Sequence, residues 1–328
     1  MTDTSRRAFV AGAAATTAAA AATAASAQQP KPPEAATTPR AAAYPKPPFP
    51  VQRQPWPGLA SKMQPRPDHG EQSYRGAGKL QGKRALITGG DSGIGRAAAI
   101  AYAREGASVV INHLPAEEPD AQEVIRLLTG EGHKVVSIPG DLREERFCNR
   151  LITQAARELG GLDILVNNAA RQQTRPSIDA ITSADFDATV KTNVYAPFWL
   201  TRAAVAVMGP GGVIVNTSSE QAADPSEDLV DYALTRAAVL NFTKSMAKQL
   251  APKGIRVNAV APGPFWTPLQ ISGGATPEKQ QRFGSQSPLG RPGQPAEIAA
   301  LYVAAADPAL SYSTGQIFGA TGGGGQPA

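Results

Sequence analysis

Short apolar runs alternate with longer amphipathic segments along the chain from residue 82 onwards. The runs are rich in valine, isoleucine and leucine, and glycine, asparagine or aspartate bounds most of them, which is typical of buried strands. They predict strands at residues 85–87, 107–112, 133–138, 162–166, 213–216, 256–260 and 316–318. Helical periodicity lies between them, from residue 96 and over residues 120–129, 144–159, 184–208, 232–250 and 296–306. Strands that alternate with helices favour one doubly wound α/β domain, with about seven parallel strands and helices on both faces.

The segment before this pattern has a different composition. Residues 28–81 are dense in proline, which removes N–H donors and favours extended polyproline II. The second half also carries apolar side chains that a spacer does not need, namely Phe49, Trp56, Leu59, Met63 and Tyr74. We therefore predict an extended arm that lies on the domain of residues 82–322 or on a neighbouring subunit, and a disordered linker is the alternative. Residues 323–328 form a glycine-rich tail.

The first residues match an export signal. Arg6 and Arg7 form a twin-arginine pair with Phe9 two residues on, and a mildly apolar stretch of alanine and threonine follows. Ala25-Ser26-Ala27 then offers the small residues of a cleavage site. Twin-arginine signals are addresses read by a receptor rather than anchors. We predict that residues 1–27 are a twin-arginine signal peptide and that the folded protein is exported to the periplasm. A disordered alanine-rich tail is the alternative.

Composition narrows the classes of function. The formal net charge is +5, but basic and acidic residues are interspersed, so no basic stripe suited to nucleic acid appears. Cys148 is the single cysteine and the three histidines lie far apart, which excludes an intrachain disulfide and gives no metal-ligand spacing. No stretch is long and apolar enough for a permanent membrane span. We therefore expect no nucleic-acid partner, no metal and no membrane anchor.

The stretch that carries chemistry begins at the first predicted strand. Residues 85–87 lead into Thr88-Gly89-Gly90-Asp91-Ser92-Gly93-Ile94-Gly95, and a helical segment follows. A strand, a glycine turn and a helix in that order suit the pyrophosphate of a dinucleotide, because Gly89 permits the tight turn, Gly93 lets the backbone approach the phosphates and Gly95 lets the helix pack on the strand. The helix N-terminus then offers N–H groups to the anion. An ordinary glycine-rich turn is the alternative.

Further motifs follow at the predicted strand ends. Asn167-Asn168-Ala169-Ala170 closes the fourth strand, Thr192-Asn193-Val194 lies in a predicted helix, and Asn216-Thr217-Ser218-Ser219 closes the fifth strand. Tyr232 stands thirteen residues beyond Ser219, and Pro262-Gly263 follows the sixth strand. With the glycine loop, these motifs make the chain resemble the short-chain dehydrogenase/reductase family over residues 82–322, although Ala170 replaces the family's usual glycine. The resemblance implies a Rossmann-type domain.

This resemblance also implies an oxidoreductase that transfers a hydride between a nicotinamide cofactor and a small carbonyl/alcohol substrate. Such a transfer builds negative charge on the substrate oxygen, which needs a hydrogen-bond donor and a proton. By the same resemblance, Tyr232 is the acid/base, Ser219 holds the substrate oxygen and Asn193 orders a water that leads away from the site. The loops near the site contain both polar and apolar residues. This mixture suggests a small carbonyl or alcohol substrate, and polyhydroxylated compounds are included in that class.

The resemblance places the cofactor beyond the carboxyl ends of the strands, with Asp141 capping the adenine and Thr267 contacting the carboxamide. An acid that closes the second strand would favour NAD, but Asn112 and His113 stand there, which gives a slight preference for NADP over NAD. The predicted cofactor contacts are Gly89, Asp91, Ser92, Gly93, Ile94, Gly95, Asn112, His113, Asp141, Leu142, Asn168, Ala169, Tyr232, Arg236, Pro262, Gly263, Phe265 and Thr267.

One family position does not match. The family places a lysine four residues after the tyrosine, whereas Arg236 follows Tyr232 here. Arginine keeps the positive charge beside the tyrosine, but it is planar and effectively never loses its proton, so it cannot relay one. Two hypotheses therefore stay open. Either the protein is an enzyme in which Arg236 belongs to the catalytic set, or it is a cofactor-binding protein with degenerate catalysis.

Two expectations concern regions outside the motifs. Residues 265–295 are rich in glycine and proline and contain Phe265, Trp266 and Leu269, which predicts a lid over the site. Family members commonly associate through the helices that follow the fourth and fifth strands, so the resemblance implies a homodimer or homotetramer.

Overall fold

The computed structural model describes residues 44–325. Its strands are β1 (Arg84–Thr88), β2 (Ser108–His113), β3 (Val135–Pro139), β4 (Ile164–Asn167), β5 (Val213–Thr217), β6 (Arg256–Pro262) and β7 (Ile317–Ala320). They form one parallel seven-stranded sheet in the order β3-β2-β1-β4-β5-β6-β7. The chain winds outwards from β1 to one edge, returns to β4 and winds outwards to the other edge. The predicted doubly wound Rossmann-type fold is thus confirmed.

Helices cover both faces of the sheet. They are α1 (Gly93–Arg104), α2 (Glu118–Gly130), α3 (Glu145–Leu159), α4 (Ser183–Val190), α5 (Ala196–Val205), α6 (Val230–Leu250), α7 (Pro268–Ser272), α8 (Pro277–Gln281) and α9 (Pro295–Ala306). Ala85 and Ile87 of β1 pack into the core that α1, α2 and α9 cover. Leu86 faces the opposite core, under α3, α5 and α6. This two-residue alternation buries both faces of the central strand.

The helix predicted over residues 184–208 is interrupted in the structure. A π-helical turn, Lys191–Tyr195, separates α4 from α5, which ends at Val205. Pro197 has no N–H to give the carbonyl of Asn193, four residues earlier, so a regular α-helical bond is absent there. Asn193, a predicted catalytic residue, lies within this turn. Single π-helical turns are often found at functional sites.

Residues 44–81 lie against the sheet domain, mostly as extended chain with one short 3-10 turn, Ala60–Lys62. Phe49, Leu59, Met63 and Leu80 are buried, whereas Trp56 is about a third exposed. We call residues 44–67 the inner arm. The predicted signal peptide, residues 1–27, lies outside the described residues.

The described part of the chain contains neither a membrane-spanning helix nor a cluster of metal ligands. Between residues 44 and 325, no helix combines the length and the apolar character that crossing a bilayer requires. Within the same residues, no three histidine, cysteine or acidic side chains gather where they could hold a metal ion.

Candidate active site

A large cleft lies beyond the carboxyl ends of the central strands. This main cleft is open to solvent and contains about 1090 Å³ of space that no protein atom fills. Most of the predicted cofactor contacts line it, although these residues lie far apart in the sequence. They are Gly89, Asp91, Ser92, Gly93, Ile94, Asn112, His113, Asp141, Leu142, Asn168, Ala169, Tyr232, Arg236, Pro262 and Thr267.

The glycine loop forms the floor of the main cleft. Gly89 has a φ of +63°, in the left-handed region that favours glycine. A Cβ on Gly95 would lie 1.9 Å from the carbonyl oxygen of Gly89, so only glycine lets α1 pack this closely. Ser92 precedes α1 without a capping side-chain bond, which leaves the first N–H groups of the helix available to an anion. Asn168 steadies the loop, since its Nδ2 donates to the carbonyl oxygens of Thr88 at 3.0 Å and Gly89 at 3.3 Å.

Acidic side chains line the cleft near the end of β2. Asp91 is buried, and its Oδ2 has no hydrogen-bond partner within residues 44–325. Burial raises the pKa of Asp91 to about 7. Burial and the Asp91 charge raise the pKa of Glu117 to about 9. Glu117 is not among the predicted contacts, because it lies four residues beyond the end of β2. A 3-10 turn brings it back, and its carboxylate accepts a hydrogen bond of 2.8 Å from the N–H of Leu114.

The neighbouring predicted contacts are already held by the protein. Asn112 donates through Nδ2 to the carbonyl oxygen of Ile138 at 3.0 Å, which joins β2 to β3. Arg143 donates to both carboxylate oxygens of Asp141, at 2.6–3.1 Å. Burial opposes ionisation of Asp141, but these hydrogen bonds hold its pKa below the usual value. Asp141 is therefore a fixed anion at this edge of the cleft.

Tyr232 and Arg236 project from successive turns of α6. The guanidinium carbon of Arg236 lies 4.5 Å from the centre of the Tyr232 ring, close enough for a cation–π contact. Its Nη1 donates to the carbonyl oxygen of Thr217 at 2.9 Å, whereas its buried Nε has no partner among the described residues. Arg236 thus keeps a positive charge against the tyrosine and one free donor at the cleft.

Ser219 lies across the site from the nucleotide loop. Its hydroxyl accepts a hydrogen bond of 3.2 Å from the N–H of Gln221 and donates to the carbonyl oxygen of Pro262 at 3.4 Å. It lines a second cavity of about 1340 Å³ of empty volume, rather than the main cleft. Tyr232 lines both spaces. Tyr232 therefore lies between the cleft and the cavity, and Ser219 lines the cavity with it.

Polar and apolar residues both line the second cavity. It is framed by the excursion (residues 265–295) and by the loops after β4 and β5. Glutamines 172, 221, 270 and 280 line it, together with the ion pair of Lys279 and Asp228. Burial raises the pKa of Glu220, which also lines the cavity, to about 7. Such a lining suits a ligand with several hydrogen-bonding groups.

Asn193 reaches neither space. Its side-chain oxygen accepts from the N–H of Arg171 at 2.8 Å, and its Nδ2 donates to the Arg171 carbonyl oxygen at 2.9 Å and to Thr235 Oγ1 at 3.0 Å. Asn193 thus ties the loop after β4 to α6, on the side of the helix next to Tyr232. Its predicted part in ordering a water stays a prediction.

Three predicted cofactor contacts lie away from the main cleft. Gly95 packs beneath the glycine loop, and Gly263 lines the second cavity. Phe265 is buried in the core under α1 and α9. Its backbone forms a bridge with Gly293, and a Cβ on Gly293 would lie 2.6 Å from the Phe265 ring, so the ring is turned inwards. The expectation that Phe265 contacts the cofactor does not match this placement.

The inner arm also lines the main cleft, through Trp56 and Gly58. Sequence analysis did not assign them to the site. The signal in the sequence that could have found this contact is Trp56 itself. It is a large aromatic residue in a proline-rich segment that cannot form a hydrophobic core of its own.

The residues present fit a dinucleotide. The glycine loop offers uncapped N–H groups to a pyrophosphate, and the orphaned Asp91 Oδ2 and Arg236 Nε offer an acceptor and a donor within the same cleft. Buried polar atoms without partners are rare in folded proteins, and a bound polar ligand would satisfy them.

Comparison with known proteins points to the same chemistry. A family model described as enoyl-(acyl carrier protein) reductase matches residues 89–324. The chain is 53% identical over 275 residues to the oxidoreductase YghA of Escherichia coli (strain K12), across 84% of this chain and 94% of that relative. It is 42% identical over 273 residues to NADPH-dependent aldehyde reductase 1, chloroplastic, of Arabidopsis thaliana, across 81% of this chain and 94% of that relative. The crystal structure of a short chain dehydrogenase from Burkholderia cenocepacia J2315 in complex with NADP matches at 35% identity and a TM-score of 0.69, over 75% of this chain and 98% of that chain.

Proposed function

This chain belongs to the short-chain dehydrogenase/reductase family of NAD(P)-dependent oxidoreductases, and on that premise we propose that it interconverts a small, polar carbonyl compound and its alcohol, with Tyr232 as the acid/base. The observation that carries the proposal is the position of Tyr232, which lines both the main cleft and the second cavity. A dinucleotide in the first and a substrate in the second would meet at its hydroxyl. The glutamine-lined second cavity favours substrates with several hydroxyl groups.

The chemistry divides between cofactor and side chains. When bound, the nicotinamide supplies the hydride to the carbonyl carbon, or accepts it in the reverse direction. Tyr232 then gives its phenolic proton to the carbonyl oxygen, so the O–H bond of the tyrosine breaks as that of the alcohol forms. Ser219 donates a hydrogen bond to the same oxygen while negative charge develops on it. Arg236, held 4.5 Å from the Tyr232 ring centre, stabilises the phenolate that remains.

We propose NADP as the cofactor, with NAD as the alternative. Two of the similar proteins carry this cofactor in their names, one as NADPH-dependent and one in complex with NADP. Asp91 and Glu117 line the cleft, and a carboxylate there would repel a 2′-phosphate. Their pKa values, raised to about 7 and about 9, keep much of this pair protonated near neutral pH, which makes the phosphate tolerable.

Substitution of Tyr232 tests the function. We expect Tyr232→Phe to lower kcat roughly 10²–10⁴-fold, the usual contribution of a general acid, while the affinity for NADP stays unchanged. Turnover is followed by nicotinamide absorbance across a panel of aldehydes, ketones and sugars, and affinity by titration calorimetry. Ser219→Ala should also lose kcat. The proposal is overturned by a Tyr232→Phe variant that turns over at the wild-type rate.

One observation favours the second candidate, a cofactor-binding protein with degenerate catalysis. Nη1 of Arg236 is engaged by the Thr217 carbonyl oxygen, so the side chain is partly committed within the fold. A protein of this kind would bind NADP tightly and yet show no turnover that depends on Tyr232.

Location and assembly are proposals as well. The twin-arginine pattern at Arg6 and Arg7 and the Ala25-Ser26-Ala27 site support export of the folded protein to the periplasm. Cell fractionation tests this, since a shortened form should appear in the periplasm and should disappear from it with Arg6→Lys and Arg7→Lys. Exposed apolar side chains on α5 and α6, among them Phe198 and Leu234, support association through these helices.

A further inference from the structure

We propose that the inner arm is part of the dinucleotide site. In this arrangement Trp56 and Gly58 cover the main cleft, and the arm holds the excursion against it, so that a bound dinucleotide leaves slowly. The inference rests on the proposed dinucleotide binding. It assigns a binding role to a segment that lies outside the family motifs.

The inner arm is fixed to the excursion near both of its ends. The Phe49 ring stacks on Trp266 with centroids 4.3 Å apart and planes 17° apart. Trp266 is fully buried, and its Nε1 donates to the Pro65 carbonyl oxygen at 2.8 Å. The N–H of Phe49 donates to the Gln281 carbonyl oxygen at 3.0 Å. The excursion, which also frames the second cavity, is therefore held from outside by the arm.

The middle of the inner arm reaches the cleft. Gly58 lies against α7, where a Cβ on it would stand 3.1 Å from the Ser272 Cβ and 3.2 Å from the Pro268 carbonyl oxygen. The side chain of Gln54 closes the turn around Trp56, since its Oε1 accepts from the N–H of Leu59 at 2.8 Å and its Nε2 donates to the Leu59 carbonyl oxygen at 3.0 Å. The indole is thus presented at the cleft by a fixed turn, while about a third of its surface stays exposed.

The stretch that follows Gly58 is fixed to the start of α2. The N–H groups of Ala60 and Ser61 donate to the carboxylate of Asp120, at 2.5 Å and 3.2 Å. Asp120 is fully buried, so these donors stabilise a charge that would otherwise be costly. Arg66 forms an ion pair with Glu123 one turn further on. The arm therefore runs from the excursion past the cleft to α2, and Pro65 then brings it back to Trp266.

A similar sheet domain occurs in a protein that has little chain beyond it. The NADP-bound Burkholderia structure is matched over 98% of its length by 75% of this chain, a share that the sheet domain alone accounts for. The alignment with YghA covers 275 residues, which is more than residues 82–328 contain, so it includes part of the segment before residue 82. The matched fold in that protein leaves little room for an arm of this length, so the arm is free to serve a role in binding here.

Dissociation kinetics test the inference on the full-length protein. We expect Trp56→Ala to release NADP(H) roughly tenfold faster than wild type, as judged from the usual effect of removing an aromatic ring that stacks on a base. Release is measured by stopped-flow displacement of NADPH fluorescence with excess NADP. Trp56→Phe, which keeps a ring, should restore most of the slow release. Val51→Ala is the matched control, because this arm side chain is exposed and does not line the cleft.

The outcomes separate the two proposals. Equal release rates for wild type and Trp56→Ala, in a protein that binds NADP(H), overturn the role of the arm and leave the proposed function standing. Wild-type protein that binds neither NADP(H) nor NAD(H) overturns both. If Trp56→Ala unfolds, Phe49→Ala, which removes the stack on Trp266, must speed release, and unchanged release in that variant also overturns the inference.

Discussion

At the scale of single residues, the site is defined as much by Arg236 as by Tyr232. A guanidinium over the ring keeps a positive charge at the tyrosine, while its Nη1 is spent on the Thr217 carbonyl oxygen. Lysine has neither the plane that stacks on the ring nor the fork that makes two bonds at once. The stack on Tyr232 therefore fits an arrangement that is built around arginine, whereas the Thr217 bond commits part of the side chain within the fold.

Replacing Arg236 by lysine tests this arrangement. We expect Arg236→Lys to lower kcat, or to leave it within about threefold of wild type, because lysine cannot both stack on Tyr232 and bond to Thr217. Steady-state rates with NADP and the best substrate give the answer. A gain in kcat of about tenfold or more would instead favour the degenerate protein, in which arginine marks lost catalysis.

We expect the acids of the main cleft to make the choice between NADP and NAD depend on pH. The raised pKa values of Asp91 and Glu117 mean that both side chains lose their protons as the pH rises through about 7 and about 9. Deprotonation adds negative charge to the cleft. This charge repels the 2′-phosphate of NADP, whereas NAD has no phosphate at that position. We expect the Kd of NADP to rise roughly tenfold from pH 6 to pH 9, with a much smaller change for NAD.

Calorimetric titrations of both cofactors across this range supply the measurement. Glu117→Gln should flatten the NADP profile, since an amide does not ionise in this range. Equal pH dependence for NADP and NAD would show that these acids do not face the 2′-position.

Family motifs predict about half of the residues that line the cleft, because these motifs lie at strand ends and strand ends meet. Trp56 and Glu117 are not predicted, for two reasons. Trp56 reaches the cleft through the inner arm, whose path depends on contacts distant in sequence such as those with Asp120, and no local pattern encodes such a path. Glu117 is brought back by a short 3-10 turn that the apolar pattern does not reveal.

At the scale of elements, periodicity located the strands to within a few residues and missed irregular helices. The π turn at Lys191–Tyr195 leaves the apolar spacing of α4 and α5 almost unchanged, so the pattern predicts one helix. The short helices α7 and α8 lie in a segment rich in glycine and proline, where periodicity is lost. Their form depends on tertiary contacts, including that of Gly58 with Pro268.

The packing of α1 on the glycine loop yields a stability prediction. A methyl group on Gly95 would stand 1.9 Å from the Gly89 carbonyl oxygen, so Gly95→Ala must push the helix away from the loop. We expect this overpacking to lower the free energy of unfolding by about 1–3 kcal/mol and to weaken NADP binding. Denaturant unfolding and calorimetry measure the two effects.

Gly130→Ala is the control for this prediction. Gly130 ends α2, and a Cβ there would meet nothing within 4 Å. We expect no loss of stability from this change, because alanine is the better helix former. A Gly95→Ala protein as stable as the Gly130→Ala control would contradict the account of the close approach.

At the scale of the whole molecule, exposed apolar groups indicate how copies would associate. Tyr195 and Phe198 on the α5 side and Val230 and Leu234 on α6 are each more than two-fifths exposed. Exposed patches of this kind often mark interfaces between subunits. The resemblance implied association through the same helices, and assembly stays a prediction.

A charge at Phe198 tests the assembly. We expect the wild type to be a dimer or tetramer by light scattering and Phe198→Glu to shift towards the monomer, because a buried unpaired carboxylate is costly. Tyr312→Glu is the control, since this fully exposed side chain lies away from α5 and α6. A monomeric wild type, or a Phe198→Glu protein of unchanged mass, would contradict the prediction.

The contacts of the inner arm also have a consequence for the order of events at the ribosome. Pro65 is synthesised early, but Trp266, which bonds to it, is 201 positions later in the chain. Gln52 and its partner Gln280 are separated by 228 positions. These bonds cannot form until most of the chain has emerged. The segment synthesised near the start is thus seated near the end of folding. A protein in which the inner arm is bound in its final position has therefore already folded most of its chain.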